Sequence, residues 1–503
     1  MNNIVSSIKP EHTRFIIILF VLGMFNVLGN YSLMISFLSS IFSYVFVLFP
    51  LFKNKDYERS FIFYVACMAI TFDESVFVYG EGTEIVHYSF WGLPVLGAYL
   101  ANFLAVFYFV VLFKKHGVET FRSSPEKMKI LKCIMIFLIT GTLTIILCML
   151  RNDNGMMNTG YYPKHAILTI IRFICRSCIL LTAILLCSNV KWKEQCSNFL
   201  QLILIVVVFV SVSASLLGFS GYYADNKIML APLSYTFTPM LIVLSLKRFR
   251  SPFRILSLIA ALLAIIASIA YGGVAMGSKW YLFILGSIVG ILFIVFKVKS
   301  LWSIISSVII GLLLLPLLAI PISQMSSGND YIGWKLTQAF NSINVFGDGG
   351  VNEWYDSMDA SPLFRIEEGQ CILIEYYTKP AYILFGKGLS GTIRHYTNLL
   401  VWEEGDGGFP PEQQKLGAYS SLHESLLVIA LSHGLFGLYF LFSTMGVLLK
   451  RVYKSPWALS GVFWIFLFWD YNYSMLVGAI AMALALCENI PPKTENVKIK
   501  ISN

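Results

Sequence analysis

From Phe15 to Leu486 the chain alternates long apolar stretches with short polar turns, and each apolar stretch is long enough to cross the hydrocarbon core of a bilayer. Lipid offers no partner for an unpaired backbone group, so each crossing must be a helix and the predicted fold is all-α. The pattern predicts about fourteen transmembrane helices, at roughly 15–31, 33–52, 60–79, 94–113, 130–150, 166–189, 198–219, 228–246, 255–271, 280–296, 302–322, 425–449, 456–470 and 472–487. Two of these divisions fall inside longer apolar runs. Phe15–Phe52 is split at Gly29-Asn30 and Pro456–Cys487 at Asp470-Tyr471-Asn472, because each run is about two crossings long with polar turn residues at its middle.

The reading divides the chain into helices one to eleven over 1–322, a polar segment over 323–424, helices twelve to fourteen over 425–487, and a tail over 488–503. Basic residues test this threading, since short cytoplasmic loops are enriched in Lys and Arg. The proposed inner segments hold 25 of the 37, in clusters such as Lys53, Lys55 and Arg59, or Lys450, Arg451 and Lys454. Both termini are therefore expected in the cytoplasm, with 323–424 as one large loop on the outer side of the membrane. The net charge of +9 is an orientation signal dispersed over short turns, which excludes a nucleic-acid partner and leaves membrane lipids as the general one.

The first apolar run has no small-residue cleavage site and is followed at once by a second, so it is expected to remain as an anchor. Cys371 is the only cysteine of 323–424, so that loop cannot close a disulfide within itself. No Cys/His cluster has zinc spacing and no phosphate-binding glycine loop, haem motif or dinucleotide fingerprint occurs, so no metal or cofactor is expected.

In 323–424 the apolar character collapses. The loop carries 13 of the 28 acidic residues, six basic residues and fifteen aromatics. Helical periodicity around Pro362–Tyr377 predicts a small lobe lying on the membrane, and a loop of this length is where chemistry is expected. Its rings, Trp334, Trp354, Tyr376, Tyr377 and Trp402 among them, suit packing of that lobe or stacking on sugars.

Two stretches here carry a resemblance. Phe364-Arg365-Ile366, then Tyr376-Tyr377-Thr378-Lys379-Pro380, then Leu384-Phe385-Gly386-Lys387-Gly388-Leu389-Ser390-Gly391 looks like the arginine, helix, proline and Gly-x-Gly pattern of the O-antigen polymerase and O-antigen ligase superfamily. Ser421-Leu422-His423-Glu424-Ser425-Leu426-Leu427 followed by His433-Gly434-Leu435-Phe436-Gly437 resembles that superfamily's loop-ending histidine and the Gly-x-x-Gly after it. Gly277-Ser278-Lys279-Trp280 is similar to the Ser-Arg or Ser-Lys that opens an earlier span on the outer face. The match covers about sixty residues; Glu424 stands where the family often has Asn, and Ser432 where an acidic residue is common.

The resemblance implies a GT-C-like polytopic membrane glycosyltransferase that takes a polyprenyl-pyrophosphate-linked oligosaccharide as donor, with a chain-length regulator as partner. A polymerase of repeat units, a ligase onto lipid A core or protein, and a flippase of lipid-linked oligosaccharide are the competing functions. An outward-facing enzyme has no nucleotide sugar, so the pyrophosphate leaving group must drive transfer, and prearranged Arg and Lys stabilise the charge it develops.

Arg172 and Arg176 lie one helical turn apart on a span entering from the outer side, so they share a face inside the hydrocarbon core. Such arginines cost about 2.5 to 3.5 kcal/mol each and normally face a partner or a watery cavity. They suit donor binding together with Lys279, or else snorkelling, or pairing with Asp73 and Glu74. Arg365 suits the same pyrophosphate or an acidic sugar, or a surface ion pair with Glu367 or Glu368. His423 is positioned to orient or deprotonate an acceptor hydroxyl, with Glu424 fixing its ring or acting as the base; a hydrogen-bonded helix-start residue is the plainer alternative. His433, deeper in the span that follows, reads as a packing or hydrogen-bonding residue.

Overall fold

The computed structural model describes residues 9–29, 32–71, 94–95, 98–151, 161–217, 240–245, 252–270, 360–394, 417–420, 425–451 and 477–488, with single positions between them. Its helices are α1 (Pro10–Gly29), α2 (Leu33–Asn54), α3 (Tyr57–Ala69), α4 (Leu100–His116), α5 (Glu119–Arg122), α6 (Pro125–Arg151), α7 (Tyr161–Cys187), α8 (Val190–Leu216), α9 (Arg254–Ala270), α10 (Ala360–Thr378), α11 (Ser425–Leu449) and α12 (Gly478–Leu486). Two antiparallel pairs of two-residue strands complete it, β1 (Pro94–Val95) with β2 (Ala98–Tyr99) and β3 (Ile393–Arg394) with β4 (Ala418–Tyr419). Among the described residues six helices, α1, α2, α6, α7, α8 and α11, are long and apolar enough to cross a bilayer. The chain is an all-α membrane protein.

Local chemistry places the helix ends. The expected division at Gly29-Asn30 falls where α1 stops and α2 starts four residues later. α2 ends at Lys55 in the left-handed conformation, and the Asp56 side chain then accepts from the Arg59 N–H to cap α3. α4 ends at Gly117, with φ 71°, after Lys114 and Lys115 place cations at the negative end of its dipole. α8 starts at Val190 rather than near 198, because Lys191, Trp192, Lys193 and Glu194 continue the helix beyond its apolar length. α4 starts at Leu100 rather than near 94 because the chain before it turns back through β1 and β2. The third predicted span is described as far as Thr71, and those at 280–296, 302–322 and 456–470 lie almost wholly outside the described residues.

α7 and α8 form the centre. Their membrane-crossing stretches are 78% buried, twice the share in α1 and α2. α7 packs on α4, α6, α8 and α12, while α8 packs on α1, α3, α7, α9 and α12. Around them the outer helices turn Ile17, Phe37, Phe52, Leu143 and Phe442 outward, as helices in lipid do. Small residues bring α2 close to its neighbours: Ser36, Ser39, Ser40 and Ser43 are all buried, and Ser39 donates to Asn26 of α1 (2.6 Å), whose amide donates to the Ile70 carbonyl (3.2 Å).

Charged helix ends collect at one end of this bundle. Arg59 at the start of α3 pairs with Glu11 at the start of α1 (3.2 Å), and Lys115 at the end of α4 pairs with Glu58 of α3. Lys127 at the start of α6 donates to Ser188 just after α7 (3.0 Å). Arg451, just after α11, donates to the Ala485 and Leu486 carbonyls that end α12 (2.8 and 2.9 Å) and lies 3.8 Å from Glu126 of α6. His12 meets Phe199 and Phe253 edge-on, at 5.8 and 5.2 Å, which brings the start of α1 against the third turn of α8 and the residue just before α9. We call this the basic end.

On α11 sits a lobe with its own core. Phe364, Cys371 and Ile372 of α10, Ile393, Tyr419 and Leu422 pack against Leu431 of α11. Helical periodicity predicted this helix around 362–377, and the lobe now has a definite seat on a membrane helix.

Candidate functional site

α11 is apolar throughout, yet its backbone breaks at Gly434 (φ 60°, ψ −151°). A break leaves carbonyls above it and N–H groups below it without helical partners, which is costly in an apolar surrounding unless something else pairs them. The loop after α10 does so. Lys387 N–H and Gly388 N–H donate to the carbonyls of Leu431 (2.8 Å) and Ser432 (3.1 Å), while the Leu435 and Phe436 N–H groups donate to the carbonyls of Ile383 (2.9 Å) and Leu384 (3.0 Å). Four backbone hydrogen bonds thus splice Ile383–Gly388 into the helix.

The glycines are there for want of space. A Cβ on Gly386 (φ 69°) would stand 2.4 Å from the Ser432 carbonyl carbon, and one on Gly434 2.4 Å from the Ile383 oxygen. Gly388 (φ 87°) is as tightly held against the Gly141 carbonyl of α6, 2.6 Å from where its Cβ would be. A Cβ on Gly437 would meet His433 Cβ at 2.5 Å. The Gly-x-Gly and Gly-x-x-Gly patches singled out in the sequence are therefore the two halves of one seam.

Between the glycines stands Lys387, which is buried. Its Nζ reaches up to Glu375 Oε1 of α10 (2.6 Å) and the Thr392 carbonyl (2.6 Å), 5.9 Å from the centre of the Tyr382 ring. Lys379 also donates to Glu375 Oε1 (2.8 Å), and the Tyr396 hydroxyl donates to Oε2. Burial alone would push the Glu375 carboxyl up, but Lys387, Lys379 and Tyr396 outweigh it and hold the group below the usual carboxylate range. Two ammoniums around one carboxylate leave this trio one positive charge in surplus, with the partly exposed Lys379 facing outward. The Tyr376 hydroxyl donates to the Ala430 carbonyl and ties α10 to α11 just above the break.

Beside the break, His433 is buried with its ring 4.5 Å from that of Phe137 in α6 and 6.0 Å from that of Phe173 in α7, which agrees with a packing role. Phe173 follows Arg172 directly and precedes Arg176 by three residues. The ring contact therefore brings the arginine-bearing turn of α7 beside the seam. Arg176 is 8% exposed and Arg172 is half-buried. Arg365 lies half-buried on the first half of α10, next to Phe364 of the lobe core, and Glu367 and Glu368 are buried two and three residues on. Lys279, His423, Glu424, Asp73, Glu74 and Asp470 lie outside the described residues, although His423 and Glu424 directly precede α11.

Sequence reasoning missed Lys387, Lys379 and Glu375 as a group. The available signal was a lysine held between two glycines, with Glu375 and Lys379 at i,i+4 on the helix before it. Among the described residues no three metal-binding side chains cluster. Comparison with family models, with curated proteins and with solved structures gives no match.

Proposed function

We propose that this protein is a bacterial inner-membrane glycosyltransferase of about fourteen spans, with cytoplasmic termini and a periplasmic site, that polymerises polyprenyl-pyrophosphate-linked oligosaccharide units. One observation supports it most. The two loop motifs that resemble the O-antigen polymerase and ligase superfamily meet in one seam, and the arginine-bearing turn of α7 lies beside it. The basic end, being the lysine- and arginine-rich one, is the cytoplasmic end under the positive-inside rule, so the seam belongs to the periplasmic half.

In this reading Arg172, Arg176 and Lys279 hold the donor pyrophosphate and Arg365 approaches it from the lobe. The acceptor hydroxyl oxygen attacks the anomeric carbon, and the bond from that carbon to the pyrophosphate oxygen breaks. The hydroxyl proton passes to His423 or Glu424, and polyprenyl pyrophosphate leaves with its charge stabilised by the guanidinium groups. Removing a group that stabilises developing charge typically lowers the rate about 10² to 10³-fold.

Reconstituted protein supplied with the polyprenyl-pyrophosphate-linked repeat unit should lengthen the glycan. Arg176→Gln and His423→Ala, inserted at normal levels, should each lose that activity by at least about a hundredfold. A deletion strain that caps single repeats onto lipid A would have lost a polymerase; one that accumulates long polyprenyl-linked glycan without capped product would have lost a ligase. Movement of the lipid across the bilayer with no lengthening would replace both readings with a flippase.

A further inference from the structure

We propose that Lys379–Gly391 is a re-entrant element that dips into the bilayer from the lobe side and presents Leu384 and Phe385 to the hydrocarbon chains of the leaflet opposite the basic end. Two helices give its depth independently. On α11, the break at Gly434 stands fifteen residues above Leu449, about 22 Å at the helical rise, and Arg451 just beyond Leu449 is fixed at the basic end. On α6, Gly141 receives Gly388 of the loop and stands fourteen residues above Lys127, which is about 21 Å above the same end. A hydrocarbon core of about 30 Å then extends some 8 to 9 Å beyond the seam.

The loop is built for that depth. Non-helical backbone inside a bilayer must have its polar groups paired within the protein, and the four cross-seam bonds, with Gly386 N–H donating to the Tyr382 carbonyl (2.8 Å), pair the Tyr382, Ile383 and Leu384 carbonyls and the Gly386, Lys387 and Gly388 N–H groups. Lys387 carries its ammonium away from the seam to Glu375 and Thr392, and Ser390 and Thr392 are buried. What the loop turns outward is apolar. Leu384 is 58% exposed and Phe385 41%, and they adjoin Leu435, from which Tyr439 and Phe442 continue the same exposed face of α11 downward. That face belongs to a membrane-crossing helix, so the loop extends a surface that lipid already covers. Leu373 and Tyr377, exposed and one turn apart on α10, lead from the lobe to it.

The experiment needs no substrate. Leu384→Cys, Phe385→Cys and, for a water-facing reference, Arg394→Cys are made in the full chain carrying Cys133→Ser, the other native cysteines being buried. Each is spin-labelled and reconstituted in phosphatidylcholine–phosphatidylglycerol vesicles, with the unsubstituted chain as background. Labels at 384 and 385 should collide with oxygen and be shielded from a nickel chelate, to a depth of about 10 to 15 Å below the phosphates. Nickel accessibility at 384 and 385 equal to that at 394 would overturn the proposal. Shielding from both reagents with dipolar broadening would also overturn it, since a second copy of the chain would then cover the face. Neither outcome depends on whether the protein lengthens glycans.

Discussion

The basic end and the seam both tie helices together, by opposite means. At the basic end long side chains reach between helix ends: Arg59 to Glu11 and Asp56, Lys115 to Glu58. Most of these groups are part-exposed, and such pairs contribute about 0 to 1 kcal/mol each, because water screens them and ordering the side chains costs entropy. At the seam the ties are backbone hydrogen bonds at fixed positions, with no room for a Cβ at Gly386, Gly388 or Gly434. An end held by adaptable side chains tolerates change, whereas a splice between two backbones does not.

Gly434→Ala tests the difference most severely. The added Cβ would meet the Ile383 carbonyl oxygen, and the residue would keep a positive φ that alanine disfavours, so the loss should be about 3 kcal/mol or more. Thermal unfolding in detergent should show it as a clear fall in Tm, along with loss of the spliced loop. A Tm equal to that of the parent would mean the seam is looser than its geometry.

Glu375→Gln tests the charged trio at the top of the seam. It leaves the Lys387 ammonium buried without its counter-charge and should destabilise by about 2 kcal/mol at neutral pH. Because the folded carboxyl titrates below its ordinary value of 4.5, its contribution is complete above that value and is lost as pH falls through the folded pKa. The gap in Tm between parent and Glu375→Gln should therefore close as pH is lowered below 4.5. A gap constant from pH 7 to pH 3 would show that the ionised carboxylate is not what the lysines hold.

The smallest effect is expected at the basic end. Arg59→Gln gives up two part-exposed ion pairs and should change stability by less than about 1 kcal/mol. A loss as large as that of Gly434→Ala would erase the contrast between the two regions.

Hydropathy and charge alone determined the membrane class, the break after Gly29, the helix that became α10 and the sorting of basic residues to one end, because each is written in adjacent residues. Length of apolar sequence decides whether a helix can span, and a helix pairs its backbone with itself four residues away. The arginine turn of α7 was legible for the same reason, since Arg172 and Arg176 share a face by spacing alone. The break in α11 was not. Ser425–Leu449 reads as one unbroken apolar helix, and a glycine within it gives no sign of a backbone that leaves the helical region. What makes that break affordable lies at Ile383, Leu384, Lys387 and Gly388, whose carbonyls and N–H groups replace the missing helical partners. Hydrogen bonds between backbones distant in sequence leave no periodicity to read, so only the tertiary structure decided that Lys387 and Glu375 belong together and that the two glycine motifs are one seam.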